Sequence, residues 1–311
     1  MTLSNDAKAV LALTTRLGDR NRPALSVGAW HRLVQVLRDA GLSPASVFDA
    51  DFGSVPITGV DTEHLRTLVG GSASVFVELD ALSSKGIWAV TIVDGGYPDR
   101  LRALGEAAPP CLFGVGNASL LKDGGLAVVG SRNVDPDGAG AAQLIAEAAS
   151  AWGLALISGG ARGVDQLAMN AAFLSGGRVV GVLADSLEHR IRRADVISAL
   201  DTGNTCLIVQ QHPAVGFTPQ AAMARNKLVY ALADLAVVIA ADDGSGGTWA
   251  GAEEALRRGY GHVAVWRGLG EGPGNAALEK TGAVGFRSVD ELKAILDQPA
   301  SPCAPQQLTM I

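Results

Sequence analysis

Positive charge is in short supply in this chain. Lys and Arg number 25 against 31 Asp and Glu, a formal net charge of -6 over 311 residues. That balance excludes a globally basic nucleic-acid binder, but not a basic groove, because nearby charges set the field at a site. Cysteine is scarce too. Cys111, Cys206 and Cys303 stand far apart and none forms a CxxC pair, so neither a disulfide framework nor zinc-ligand spacing is present. Cys206 opens an apolar run and reads as a small core residue. Aromatics make up only 5% of the chain, which leaves few side chains for base stacking. No uninterrupted apolar run reaches the roughly 18 residues of a membrane span. The opening MTLSNDAKAV also lacks the basic start and apolar stretch of a secretion signal. A soluble, cytoplasmic protein with no membrane partner is expected. The histidines (31, 64, 189, 212 and 262) are scattered. Neither clustered metal ligands nor a Ser/His/Asp or Cys/His arrangement is legible, so no catalytic residue, metal or cofactor is assigned. There is no internal repeat and no low-complexity tract.

What the chain does have is hydrophobic residues at 48%, charged residues at 18%, and 39 glycines. This suits a sizeable core with tight turns at strand ends. Residues 1–85 read as a helical N-terminal domain. Leu33, Val36 and Leu37 recur at helical spacing over Ala29 to Ala40, ending at Gly41. Leu65 and Leu68 mark a further helix after the Pro56 to Val60 stretch, which reads as a turn between packing helices or as a helix-hairpin-helix. Residues 86–124 are taken as a connecting segment. Over 125–298, strands are expected at Leu126–Val129, Leu154–Ile157, Val179–Leu183, Cys206–Val209, Leu235–Ala240 and Val263–Trp266. Helical patterns lie between them. One starts at Asp135 as N-cap with Pro136 in the first turn; it is expected to carry Leu144, Ile145, Ala148 and Trp152 inward and to stop at Gly153. A last helix begins at Ser288, where Ser288 and Glu291 form a capping box. Residues 299–311 are expected to be a flexible tail. The fold class is therefore α/β, a Rossmann-like, mostly parallel sheet flanked by helices. Such sheets bind ligands beyond the C-terminal strand ends.

Those ends carry the candidate site. The first strand runs into Gly130-Ser131-Arg132 ahead of a helix start, which suits an anion or is simply a strand-end turn with a solvated Arg. The second runs into Ser158-Gly159-Gly160-Ala161-Arg162-Gly163-Val164-Asp165, where the amides suit an anion nest and Asp165 is read as a brace for the loop rather than a catalyst. Arg225-Asn226-Lys227 is either a solvated helix face or a ligand contact. Because residues two apart do not share a helix face, Arg225 and Lys227 must point differently. Finally, Ser245-Gly246-Gly247-Thr248 feeds a helix as a phosphate-cradling loop. It is not a Walker A loop, since no Lys follows the glycines. The preceding Asp242 and Asp243 are expected to turn away from it.

In this order, these motifs resemble those of the DprA/Smf family of DNA-processing proteins, whose core carries a VGSR turn, an SGxAxGID segment, an RNR helix and an SGS-type loop. Upstream, Asp94-Gly95-Gly96-Tyr97-Pro98 with Leu101 is similar to the family's DxxYPxxL, and Pro109 to Phe113 with Gly116-Asn117 to the approach to its first core strand. The resemblance covers roughly residues 25–267. The chain departs from the family at Met169, where a His is usual, at Lys227 for a second Arg, and in the loop wording SGGTWAGA. After Val182 it has His189, Arg190, Arg192 and Arg193 in place of GLDxxYP. A winged-helix domain is not expected after the core.

The resemblance implies a sterile-alpha-motif-like N-terminal domain, binding of single-stranded DNA, delivery to a RecA-type recombinase in recombination or natural transformation, and a homodimer. The phosphate-binding set is then Gly130, Ser131, Arg132, Ser158, Gly159, Gly160, Arg162, Arg225, Asn226, Lys227, Ser245, Gly246, Gly247 and Thr248. Arg190, Arg192 and Arg193 extend the path. Phe217 is the aromatic available for stacking, or else a core residue. The alternative is a nucleotide-binding sensor or an enzyme like the LOG-type nucleotide phosphoribohydrolases, whose motif is GGxGTxxE. Here the residue three after Thr248 is Gly251, and Glu253 and Glu254 fall further along. That displacement favours a binder over an enzyme.

Overall fold

The computed structural model describes residues 3–49, 52 and 61–298. Helices α1 (Asn5–Thr14), α2 (Val27–Asp39), α3 (Thr62–Gly70) and α4 (Ser72–Ser83) come first, then β1 (Trp88–Thr91), α5 (Asp99–Arg102) and β2 (Cys111–Gly116). Alternation follows: β3 (Leu126–Val129), α6 (Pro136–Ala151), β4 (Ala155–Ser158), α7 (Val164–Leu174), β5 (Arg178–Val182), α8 (Leu187–Arg190), α9 (Ala194–Asp201) and β6 (Thr205–Val209). The chain ends with α10 (Pro219–Leu232), β7 (Leu235–Val238), α11 (Gly246–Arg258), β8 (His262–Trp266), α12 (Asn275–Lys280), β9 (Val284–Phe286) and α13 (Val289–Leu296). The Pro56 to Val60 turn, the segment from Pro299 onward and Cys303 lie outside the described residues.

One 9-stranded sheet in the order β1-β2-β6-β5-β4-β3-β7-β8-β9 runs through the molecule. From β6 to β9 every neighbouring pair is parallel, and β2 lies antiparallel to both β1 and β6. The α/β reading holds, and the strands between β3 and β8 stand where the apolar runs place them, to within a residue or two at most ends. The stretch 86–124 is more than a connection, for it supplies two strands. Its DxxYPxxL-like motif forms a clasp. Asp94 accepts from the Thr91 N–H and hydroxyl at 2.8 Å each, and the buried Tyr97 donates from its hydroxyl to the Pro109 carbonyl at 2.7 Å. Gly114 faces Trp88 across the pair; the indole covers the space a side chain there would need. A glycine-punctuated strand of this kind gives little alternation to read.

Helices cover both faces. On one, α6 and α7 bury small residues (Ala141, Ala142, Ala146, Ala149, Ala168, Ala172) around Ile145, Leu156 and Val237. Asp135 caps α6 by accepting from the Gly138 N–H at 2.7 Å. The expectation for its inward face is corrected at Leu144, which is 51% exposed. The buried stripe runs through 142, 145, 146 and 149, and Leu144 stands about 100° from its nearest member and about 150° from its centre. The alanines, not the leucine, let α6 and α7 lie close. On the other face, Leu228, Val229, Leu232, Ala252 and Ala255 pack on Val129, Val238 and Val265. The N-terminal helices gather around Trp30, Leu33, Leu37, Leu65 and Leu68, while Leu11, Leu17 and Val75 pack with Phe113 and Leu207 of the sheet. Ser288 accepts from the Glu291 N–H at 3.2 Å and so caps α13 as expected, while the Glu291 carboxylate accepts from the Arg287 N–H at 2.6 Å, one residue before the bond that would close the box.

Cys111 and Cys206 are buried, and burial pushes both thiols up to about 12. The thiolate is the reactive form. In a Cys303→Ser background, alkylation at pH 8 should therefore be at least about a hundredfold slower on native protein than in denaturant. Equal rates in a stopped-flow thiol assay would show that one of the two thiols is open.

Candidate functional site

The sheet order reverses at β3, because the chain proceeds outward through β4, β5 and β6 and then restarts on the other side at β7. At such a reversal, loops from neighbouring strands part and leave a crevice beyond their C-terminal ends. The turns after β3 and β4 are locked together there. The Val164 N–H donates to the Ser131 carbonyl at 3.2 Å. Gly163 has φ +87°, and a side chain on it would run into Ser131 and Arg132. A Cβ on Gly130 would stand 2.6 Å from Val164, so this glycine admits α7 rather than a ligand. The Ser158 hydroxyl is wholly buried and donates to the Val128 carbonyl at 2.7 Å; it is spent on the sheet.

Asp165 braces this junction. Its buried carboxylate accepts from the Ala161 N–H at 3.4 Å and lies 3.7 Å from Arg225. Burial raises its titration above the usual carboxylate range, against the opposing pull of Arg225 and of the Ala161, Gly130 and Gly159 amides. Arg225 sits in the second turn of α10. Burial lowers its titration, opposed by Asp165. Its guanidinium occupies the space a Gly159 side chain would take and donates to the Val182 carbonyl at 3.2 Å. Its Nε is buried with no partner among the described residues.

Two adjoining hollows open over this brace and share Arg132, Ala161, Phe217 and Arg225. The smaller, about 320 Å³, is also lined by Gly159, Gly160, Arg162, Gln166, Asp185 and Arg190. The larger, about 490 Å³, is also lined by Gly130, Ser131, Asn226, Asp242, Tyr230 and the Ser245 to Thr248 loop. Arg132 stacks over the half-exposed Phe217 ring at 5.3 Å, a cation–π contact. Arg162 is exposed and donates to Asn133 at 2.6 Å. Arg190 is held by Asp185 at 2.8 Å and donates to the Gly160 carbonyl at 3.3 Å. Asn226 donates to the Gly247 carbonyl at 3.0 Å, fixing the glycine loop.

Lys227 belongs elsewhere. It lines a separate hollow of about 520 Å³ with Arg100, Glu254, Arg258 and Tyr260. Arg193 is paired with Asp195 at 2.8 Å, and neither it nor Arg192 lines the hollows. Asp242, expected to turn away, lines the larger hollow, where the amide end of α11 favours a carboxylate. Asn133, Gln166, Asp185 and Tyr230 were not foreseen. Extending the strand-end rule to β5 would have found Asp185. Among the described residues no group of three or more His, Cys, Asp or Glu side chains is placed to hold a metal.

The position of a LOG-type carboxylate is closed. A Cβ on Gly251 would stand 2.9 Å from the Tyr230 ring, so that face of α11 packs against α10. Glu254 lines the separate hollow. It makes no ion pair with Arg257 or Arg258 among the described residues.

Fold and site define an α/β protein with a cation-lined crevice at the reversal of a parallel sheet. The chain belongs to the DNA recombination-mediator protein A family, whose family model matches residues 88–296; this is the DprA family that the motifs resemble. It is 27% identical over 171 residues to DNA processing protein DprA of Bacillus subtilis, covering 54% of this chain and 57% of that one. It is 32% identical over 122 residues to the Streptococcus pneumoniae protein, covering 39% and 43%. The match thus spans about half the length of these curated relatives. The X-ray structure of DNA processing protein A from Streptococcus pneumoniae superposes with a TM-score of 0.68 at 23% identity, over 94% of this chain and 98% of that one, and shares the fold. DNA processing protein A from Helicobacter pylori, whose structure describes a single-stranded DNA binding mode, gives a TM-score of 0.55 at 25% identity, over 67% and 95%.

Removing Arg225 while leaving Asp165 buried strands a carboxylate, which costs about 3–5 kcal/mol. Arg225→Ala should be destabilised by that order. The deficit should shrink as pH falls, because without Arg225, which pulls the buried Asp165 carboxyl downward, the folded variant takes up a proton there at higher pH than the folded parent does. Urea unfolding at neutral and mildly acidic pH checks both, and a parent-like midpoint would show that the pair does not hold the site.

Proposed function

We propose that this chain binds single-stranded DNA by its phosphates, in the paired hollows beyond β3, β4 and β7. The observation that carries this reading is that Arg132 and Arg162, exposed side chains from successive strand-end turns, meet Arg190 and the Phe217 ring over a buried Arg225. Phosphates satisfy guanidinium forks in pairs, and an exposed ring beside them suits an unstacked base. A duplex hides both base faces. Family membership and the binding mode described for the Helicobacter pylori relative support the choice of ligand. In this reading the phosphates meet Arg132, Arg162 and Arg190 at the strand-end turns, with Gly130, Ser158 and Asn226 shaping those turns, the Ser245 to Thr248 loop walling the larger hollow, and Lys227 on the far side of α10. Delivery of the strand to a RecA-type recombinase, a role in natural transformation, a homodimeric state and a cytoplasmic location belong to the same proposal.

Arg132→Ala should weaken binding to all oligonucleotides by a similar factor and lower the slope of log affinity against log salt by about one unit. Fluorescence anisotropy over a salt series, with single-stranded and duplex oligonucleotides, reads both. Tighter duplex binding by the parent protein, or an unchanged slope in a folded variant, would count against the proposal. Nucleotide cleavage is disfavoured because no carboxylate takes the place that Gly251 occupies. Incubation with nucleoside monophosphates should release no free base by chromatography; release abolished by Glu253→Ala or Glu254→Ala would restore the enzyme reading.

A further inference from the structure

The two hollows differ in charge. The smaller one gathers Arg132, Arg162, Arg190 and Arg225 against the single carboxylate of Asp185, which is already engaged with Arg190. The larger one shares Arg132 and Arg225 but sets against them the buried Asp165 and the exposed Asp242. The Asp242 carboxylate has no ion-pair partner among the described residues and stands 3.4 Å from the Cβ position of Gly246. A phosphate beside that carboxylate would be repelled. A neutral group carrying N–H donors would be held, because an ionised carboxylate accepts and cannot donate. The Phe217 ring borders both hollows and Asp242 lines the larger one; a base on the ring face that Arg132 leaves open therefore shares a hollow with that carboxylate, with the arginines of the smaller hollow beside it.

We infer that Asp242 reads the edge of one nucleobase, accepting a hydrogen bond from an exocyclic amino group, and so favours cytosine over thymine at that position. This deepens the single-stranded DNA reading and rests on it. Cytosine offers its N4 amino group where thymine offers the O4 carbonyl. A carboxylate therefore meets a donor in one case and an acceptor in the other. Because a single base is read while the phosphates carry most of the affinity, the preference is modest, roughly three- to tenfold.

The experiment compares oligo-dC with oligo-dT, both pyrimidines, by anisotropy on the full chain and on Asp242→Asn. The parent protein should favour dC by about that factor, and Asp242→Asn should bring the ratio close to one, since an amide both donates and accepts. Phe217→Leu should weaken both oligonucleotides together. Equal affinities in the parent, or a dC preference that survives Asp242→Asn, overturn the assignment while leaving phosphate binding intact. Failure of the parent to bind either oligonucleotide overturns the single-stranded DNA reading itself. Thermal melts of each variant exclude unfolding as the cause.

Discussion

The buried Asp165–Arg225 pair is the constraint on which the site depends. One carboxylate, placed in the first turn of α7, faces the amides of the turns after β3 and β4 and the guanidinium that α10 sends in from the other side of the crevice. Of the glycines on these turns, one follows from the pair and one from the turn it packs on. Gly159 must lack a side chain because the Arg225 guanidinium fills that space, and Gly163 because the β3 turn passes beneath it. An ion pair this deep adds little net stability, since desolvation offsets most of the attraction. Its effect is positional: three segments distant in sequence are fixed in one arrangement.

Arg225 thereby changes role. As a residue in an Arg-Asn-Lys run it invites reading as a ligand contact, and it does line both hollows. Yet its charge is directed first at Asp165 and its Nη1 at the Val182 carbonyl. It underlies the exposed arginines rather than standing among them, and it repels Arg132 enough to contribute to its own lowered titration. The stack of Arg132 on Phe217 gives that side chain a resting place while it keeps its charge in solvent.

Local rules were legible in the sequence because their physics is local. The Asp135 and Ser288 caps, the strand ends rich in glycine, and the divergence of Arg225 from Lys227 across α10 all follow from helix and strand periodicity. Three kinds of feature escaped. The Leu144 phase failed because α6 packs through alanines, so the largest apolar residue was a poor guide to the buried stripe. Strands β1, β2 and β9 were missed because they are short or glycine-punctuated at the sheet margins. The site's long-range partners, Asp165 with Arg225 and Arg190 with the Gly160 carbonyl, depend on strand order, which no window of sequence contains.

The net acidity of the chain and a cationic crevice are compatible because of how the arginines are distributed over carboxylates. Away from the crevice, several cations are matched locally: Arg178 with Asp123, Arg193 with Asp195, Arg267 with both Glu271 and Glu279, Lys293 with Asp297. Within it, Arg132 and Arg162 have no carboxylate partner within ion-pair distance among the described residues; one rests on an aromatic face and the other on an amide oxygen. Such neutral partners orient a guanidinium without cancelling its charge. An incoming phosphate then gains the full charge interaction and need only displace contacts that are weak by comparison. Carboxylates more than a Debye length from the arginines, about 8 Å at physiological salt, are screened from them and lower the potential there little.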